Sequence, residues 1–202
     1  LLQIALPLSD DELGRISKKL IASNHVRDAM LRIHLSRGEG TRGYSPRNAD
    51  KPTLLISTHP LNPSIRGLAA GKAIISRFRL FSEDPLAEVK HSNKLLQILA
   101  RAEADAALAD EALMENERGH IVEGTSSNFF WIEDASLCTS PVREGILPGT
   151  TRAYIMELGR KLGLQVNEGE INRDQLATCK GAFLSSAGLE ILELTEVNGQ
   201  SL

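Results

Sequence analysis

Residues 120–152 read HIVEGTSSNFFWIEDASLCTSPVREGILPGTTR, and two short segments inside this stretch set the terms for the whole chain. In the first, Glu123 to Asn128 (EGTSSN), a carboxylate ends an apolar strand beside small hydroxyl residues. Such a carboxylate can hold a protonated ring nitrogen through a charge-assisted hydrogen bond. In the second, Leu147-Pro148-Gly149-Thr150-Thr151-Arg152 opens a helix. Free backbone amides, two hydroxyls and the helix dipole make that point a seat for a phosphate. Each segment also has a plainer explanation, a polar turn for the first and an ordinary helix cap for the second.

Upstream, residues 89–95 read VKHSNKL, with Lys90 about 33 residues before Glu123. A lysine between two apolar elements can lose solvation, which makes its amine nucleophilic near neutral pH. Most lysines are simply solvated, so Lys90 gains meaning only from its company. The stretch that follows, Leu95 to Leu108, predicts a helix with Leu95, Ile98, Leu99 and Ala102 on its apolar face.

Further out, Ser9 with Asp10, Asp11 and Glu12 predicts a capped helix to about Ala22. Strands are expected at Leu31 to Ser36, Thr53 to Thr58 and Ala73 to Leu80. Gly38, Gly40 and Gly43 match a dinucleotide fingerprint letter for letter, but Pro46 follows where the phosphate-binding helix would have to start. The same turn is better suited to present Arg37 and Arg42, and a guanidinium there can take a substrate carboxylate. An exposed basic turn is the plain alternative. Residues 81–89 (FSEDPLAEV) carry a shift in composition, which places a linker at 83–89 between an incomplete α/β domain (1–82) and a second domain (90–202).

Downstream, short strands are expected at Glu111 to Glu115, His120 to Val122 and Asn128 to Ile132, then a helix from Thr150 to Leu162. A strand at Gln165 to Glu168, a short helix near Arg173 to Thr178, and strands at Ala182 to Ser185 and Ile191 to Val197 complete the order, which is α+β. The last residues, EVNGQSL, read as a strand entering an Asn-Gly turn with nothing after it, and the chain lacks an initiator Met, so both ends look cut. A net charge of -3 offers no basic stripe for nucleic acid, and no apolar run is long enough for a bilayer. The two cysteines, Cys138 and Cys179, fit a reducing cytoplasm, and the five histidines show no metal-ligand spacing.

The order lysine, EG-S-S-N, LPG-T-T-R, with these spacings, resembles the class-IV aminotransferase family, the fold-type-IV pyridoxal-phosphate (PLP) enzymes. The resemblance implies a two-domain α+β fold like that of D-amino-acid aminotransferase, a homodimer, and pyridoxal 5'-phosphate as cofactor. It also implies an N-terminal segment of about fifty residues that this chain lacks. Lys90 becomes the point of covalent attachment and the catalytic base. Glu123 becomes the partner of the ring nitrogen, and Asn128, Gly149, Thr150 and Thr151 become cofactor-binding residues. Ser186 and Ala187 join them, in a turn where transaminases of the family tend to carry a threonine.

Within the family, LSRGEGTRGYS (35–45), VKHSNKL and SNFFW (127–131) resemble the 4-amino-4-deoxychorismate lyase branch. Lys94 stands where branched-chain transaminases usually place a tyrosine, and Ala187 where they place a threonine, while Glu190 is transaminase-like. The expectation is therefore a lyase acting on a carboxylated amine held by Arg42. An amino-acid transaminase is the alternative, and a non-catalytic remnant the third reading.

Overall fold

The computed structural model describes residues 1–61 and 70–202. The chain forms two compact units, Leu1–Pro63 and Ser64–Leu202.

In the first unit α1 (Asp10–Ser23) starts with a full capping box: Ser9 Oγ accepts from the Glu12 N–H, and the Glu12 carboxylate accepts from the Ser9 N–H at 3.0 Å. The strands β1 (Ala29–Ser36) and β2 (Thr53–Pro60) form an antiparallel pair in unbroken register from Ala29↔Pro60 to Ser36↔Thr53. The turn between them needs Gly38, at φ +92°, because a Cβ there would strike the Lys51 carbonyl.

The second unit is a nine-stranded sheet. Its strands are β3 (Ala70–Leu80), β4 (Glu111–Asn116), β5 (Ile121–Gly124), β6 (Asn128–Glu133), β7 (Ser136–Thr139), β8 (Gln165–Glu168), β9 (Gly181–Ser186), β10 (Glu190–Val197) and β11 (Gln200–Ser201). The pairing follows the order β11-β10-β3-β4-β5-β6-β7-β8, and β9 pairs with both β10 and β6. The strands β10-β3-β4-β5-β6-β9 therefore close on themselves as a ring, which leaves no free edge among them. Alternate residues of β4 enter different apolar clusters, Leu113 one and Ala112 with Met114 another, so the strand is buried on both faces. Phe129 stacks on Trp131 at 5.7 Å in the first cluster, and Phe130 on Phe183 at 4.9 Å on the opposite face.

Three features differ from the sequence expectation. The boundary between the units falls before β3, which pairs with β4 and β10 in the second unit, rather than at 83–89. The C-terminal Asn-Gly turn, with both residues at positive φ, is followed by β11, which pairs Glu196↔Ser201 and Val197↔Gln200. The helix α2 (Leu95–Ala106) buries Ala100 and Ala104, whereas Leu95 and Ile98 are 62% and 63% exposed. Small side chains let this helix approach the sheet closely, so its packed face is its alanine face. Among the described residues no helix is long and apolar enough to cross a membrane.

Candidate active site

Glu123 and Asn128 face each other at the start of the β5–β6 pairing, and the residues between them form a tight turn. The Gly124 N–H donates to the Ser127 carbonyl at 2.7 Å, and a Cβ on Gly124 would collide with Ser127 Oγ. Glu111 on β4 holds the same turn. Its carboxylate accepts from Thr125 Oγ1 at 2.5 Å and from Ser127 Oγ at 3.4 Å, and Arg101 comes within 4.0 Å of it. Two of the three hydroxyls of EGTSSN are thus spent on the turn itself. Glu111 escaped the sequence reading because a carboxylate at the start of a strand carries no signal of its own.

Glu123 is buried, and among the described residues its hydrogen bond is the one Oε2 accepts from the Leu147 N–H, at 3.2 Å. Burial pushes its carboxyl up to about 7, the Leu147 N–H and the charges of Lys94 and Lys90 hold it down, and Glu111 adds to the rise. Asn128 Nδ2 donates to the Leu147 carbonyl at 2.8 Å, so Leu147 is bonded on one side by Glu123 and on the other by Asn128. That clamp fixes the entry to α3 (Thr150–Lys161), whose N-cap is Gly149 and which has no side-chain cap. A Cβ on Gly149 would strike Asn128 Oδ1. Thr150 is exposed and Thr151 half-buried at this helix start.

A buried carboxylate and an uncapped helix N-terminus are therefore joined through one residue, Leu147. Ser185 pairs in register with Asn128, and its buried hydroxyl has no hydrogen-bond partner among the described residues. No sequence signal marked it. Ser186 closes β9, and its Oγ accepts from the Leu189 N–H at 3.2 Å, while Ala187 is exposed in the turn to β10.

Lys90 is exposed in the segment before α2. A cavity of about 560 Å³ is lined by Glu123, Lys94, His91, Asn93 and Arg79 among others, and Lys90 is not part of its wall. In the first unit Arg37 donates to the backbone carbonyls of Gln3 (at 3.4 Å) and Leu2, so its guanidinium is engaged there, whereas Arg42 is exposed. Away from the Glu123 site, His120, Glu144 and Glu170 gather with their polar atoms within 4.8 Å. Arg118 lies 3.1 Å from Glu144 and Arg143 2.9 Å from Glu170, and these guanidiniums already neutralise the carboxylates as a structural network.

A family model for amino-transferase class IV matches residues 1–197. A putative branched-chain-amino-acid aminotransferase of Methanocaldococcus jannaschii is 32% identical over 198 residues, 98% of this chain and 68% of that protein. The aminodeoxychorismate lyase of Bacillus subtilis is 29% identical over 198 residues, 97% of this chain and 67% of that protein. Among solved structures, a putative 4-amino-4-deoxychorismate lyase from Legionella pneumophila superposes with a TM-score of 0.93 at 25% identity, over 100% of this chain and 74% of that one. The branched-chain amino acid aminotransferase of Escherichia coli gives 0.91 at 26% identity, over 98% of this chain and 67% of that one. The chain thus spans about two thirds of the length of the curated relatives it matches.

Proposed function

This chain belongs to the class IV aminotransferase family, and we propose that within it the protein acts as a 4-amino-4-deoxychorismate lyase, releasing pyruvate and p-aminobenzoate. The cofactor of the family is pyridoxal 5'-phosphate. The residues present suit it: a buried carboxylate with room for a second partner, and an uncapped helix start at a glycine that leaves no space for a Cβ. When bound, the cofactor supplies an electron sink for charge developing at the amine-bearing carbon of the substrate. Lys90 would anchor it, and its amine would take the proton from that ring carbon. Glu123 holds the proton on the cofactor's ring nitrogen. The backbone amides of Thr150 and Thr151, next to Gly149 and Asn128, receive the phosphate together with the turn at Ser186 and Ala187. Arg42, exposed on its glycine-framed turn, is assigned to a substrate carboxylate.

The observation that carries the lyase reading is Ala187, an exposed residue without a hydroxyl in the turn where transaminases of the family tend to carry threonine. Transamination is the second reading, favoured by the 32% identity to the M. jannaschii protein. The two differ in stoichiometry, because a transaminase needs a keto acid as second substrate and a lyase needs none. The PLP-loaded protein is expected to release pyruvate from aminodeoxychorismate with no keto acid present. Rapid conversion of the cofactor to its amine form by D- or L-amino acids, each released as its keto acid, with no pyruvate released from aminodeoxychorismate, would establish the transaminase instead.

A further inference from the structure

Lys94 stands at the N-cap of α2, four residues after Lys90, and is half-buried. It lines the same cavity as Glu123, where Lys90 does not. Among the described residues its ammonium makes no hydrogen bond or ion pair. A half-buried cation with no partner of its own among the described residues therefore shares a cavity with a buried carboxylate.

The groups that act on Glu123 are Lys90 and Lys94 from the segment entering α2, Glu111 from β4 and the Leu147 N–H from the loop before α3; Arg79 of β3, Asp84, His91 and Glu117 line the same cavity. Burial and Glu111 favour the protonated carboxyl, while the two lysines and the amide favour the ionised one. Lys90 cannot be counted on throughout turnover, since its ammonium is consumed when it is joined to the cofactor. Of the two lysines, Lys94 is the one whose ammonium stays in place throughout.

We propose that Lys94 is a positioning residue whose ammonium, across the shared cavity, favours the ionised form of Glu123 while Lys90 is engaged. The proposal rests on the reading of Glu123 as the carboxylate that meets the cofactor's ring nitrogen. A neutral side chain at 94 would leave Glu123 with a single amide donor against burial and Glu111 whenever Lys90 is occupied.

The test is made first on the cofactor-free protein. Carboxyl-labelled glutamate is followed by NMR from about pH 4 to about pH 9, and the Glu123 signal is assigned by its loss in Glu123→Gln. Lys94→Gln should raise the Glu123 midpoint by about one unit, since a neighbouring cation shifts a carboxyl by that order. Lys94→Arg should restore it, and Lys90→Gln should move it less than Lys94→Gln does. If Lys94→Gln is too unstable to titrate, Lys94→Met, which keeps the length of the stem without the charge, serves instead, and an unchanged midpoint in it would overturn the proposal. An unchanged midpoint in a folded Lys94→Gln would also overturn it. The absorption of the PLP-loaded Glu123→Gln protein separates the two levels. If it matches wild type, Glu123 does not meet the cofactor, and both the reading and the proposal fail. If it shifts while the Lys94→Gln midpoint stays put, only the role of Lys94 fails.

Discussion

The two units hold their polar turns in opposite ways. Between β1 and β2 the turn at Gly38 to Gly43 is shaped by glycines at positive φ, and Arg42 and Tyr44 project from it exposed, Tyr44 at 106%. Between β5 and β6 the turn at Gly124 to Ser127 is shaped by a buried carboxylate, Glu111, to which two of its hydroxyls are bonded. The neighbouring strands differ likewise: no residue of β1 or β2 is buried, while every residue of β4 and β5 is. Alternation of apolar and polar residues therefore says that a strand forms but not what covers it. Chemistry placed in the second unit inherits a fixed geometry, and chemistry placed on the first turn does not. If that contrast holds, substitutions should rank by whether the residue does chemistry, then by burial, and least of all by apolarity.

Lys90 is the extreme case, because it is exposed and yet carries the largest expected effect. Lys90→Ala should lower turnover by about ten-thousandfold, the upper end for a positioned acid–base group. Borohydride reduction of the PLP-loaded protein followed by peptide mapping should label Lys90. Label on Lys94 or Lys72 would break the assignment and, with it, the claim that chemistry outranks burial here.

Glu123 combines both properties. Glu123→Gln should leave PLP bound but cut turnover about a hundredfold, or about 2.7 kcal/mol of barrier. The same carboxyl makes a separate prediction for the cofactor-free protein. Its native value near 7 lies above the unfolded value, so between about pH 4.5 and about 7 the native state binds more protons than the unfolded one. Stability from this group is full below that window, falls as pH rises through it, and stays low above, by an amount on the order of 3 kcal/mol. Urea midpoints measured across the window should show the decline in wild type and a flatter profile in Glu123→Gln. Parallel profiles would mean that Glu123 is solvated.

Much of this was legible beforehand, and the failures have physical causes. The helix at Thr150 was readable because Pro148 and Gly149 precede a periodic apolar stripe, and α1 because Ser9 and Glu12 form a capping box. Neither β7 nor β11 was expected: β11 is only two residues long, and the four residues of β7 (SLCT) carry no run of apolar or alternating residues long enough to mark a strand. Closure of the ring through β9 depends on pairing with β6, some fifty residues earlier, which no local pattern encodes. At the site the motif residues Glu123, Asn128, Leu147 and Gly149 do come together, but the backbone link that Leu147 makes between them, and the pairing of Ser185 with Asn128, are encoded by no local pattern.

Leu147 makes Gly149 testable. Gly149 has an ordinary φ of -65°, so Gly149→Ala carries no backbone strain, and its cost is the collision with Asn128 Oδ1. Asn128 has to rotate and release the Leu147 carbonyl, which should cost about 1–3 kcal/mol of stability and weaken PLP binding as well. Thermal melts and cofactor titration measure the two effects. Loss of stability with unaltered PLP affinity would separate the clamp from the phosphate seat.

The smallest effect is expected where apolarity most suggests a large one. By hydrophobic periodicity Ile98 lies on the core face of α2, yet it is 63% exposed, while Ala100 and Ala104 are fully buried against Leu80, Met114 and Ile146. Ile98→Gln replaces an exposed β-branched residue with a comparable helix former and should change stability by no more than about 0.5 kcal/mol. Ala104→Leu forces three further carbons into a filled space and should cost about 1–3 kcal/mol. Urea denaturation of the two variants at one protein concentration compares them directly. A penalty at Ile98 above about 1 kcal/mol that vanishes on dilution would mean that this face is covered by a second molecule in solution, since stability drawn from association depends on concentration. A penalty that persists on dilution would place Ile98 inside the protein's own core and make the leucine face, rather than the alanine face, the one that α2 buries.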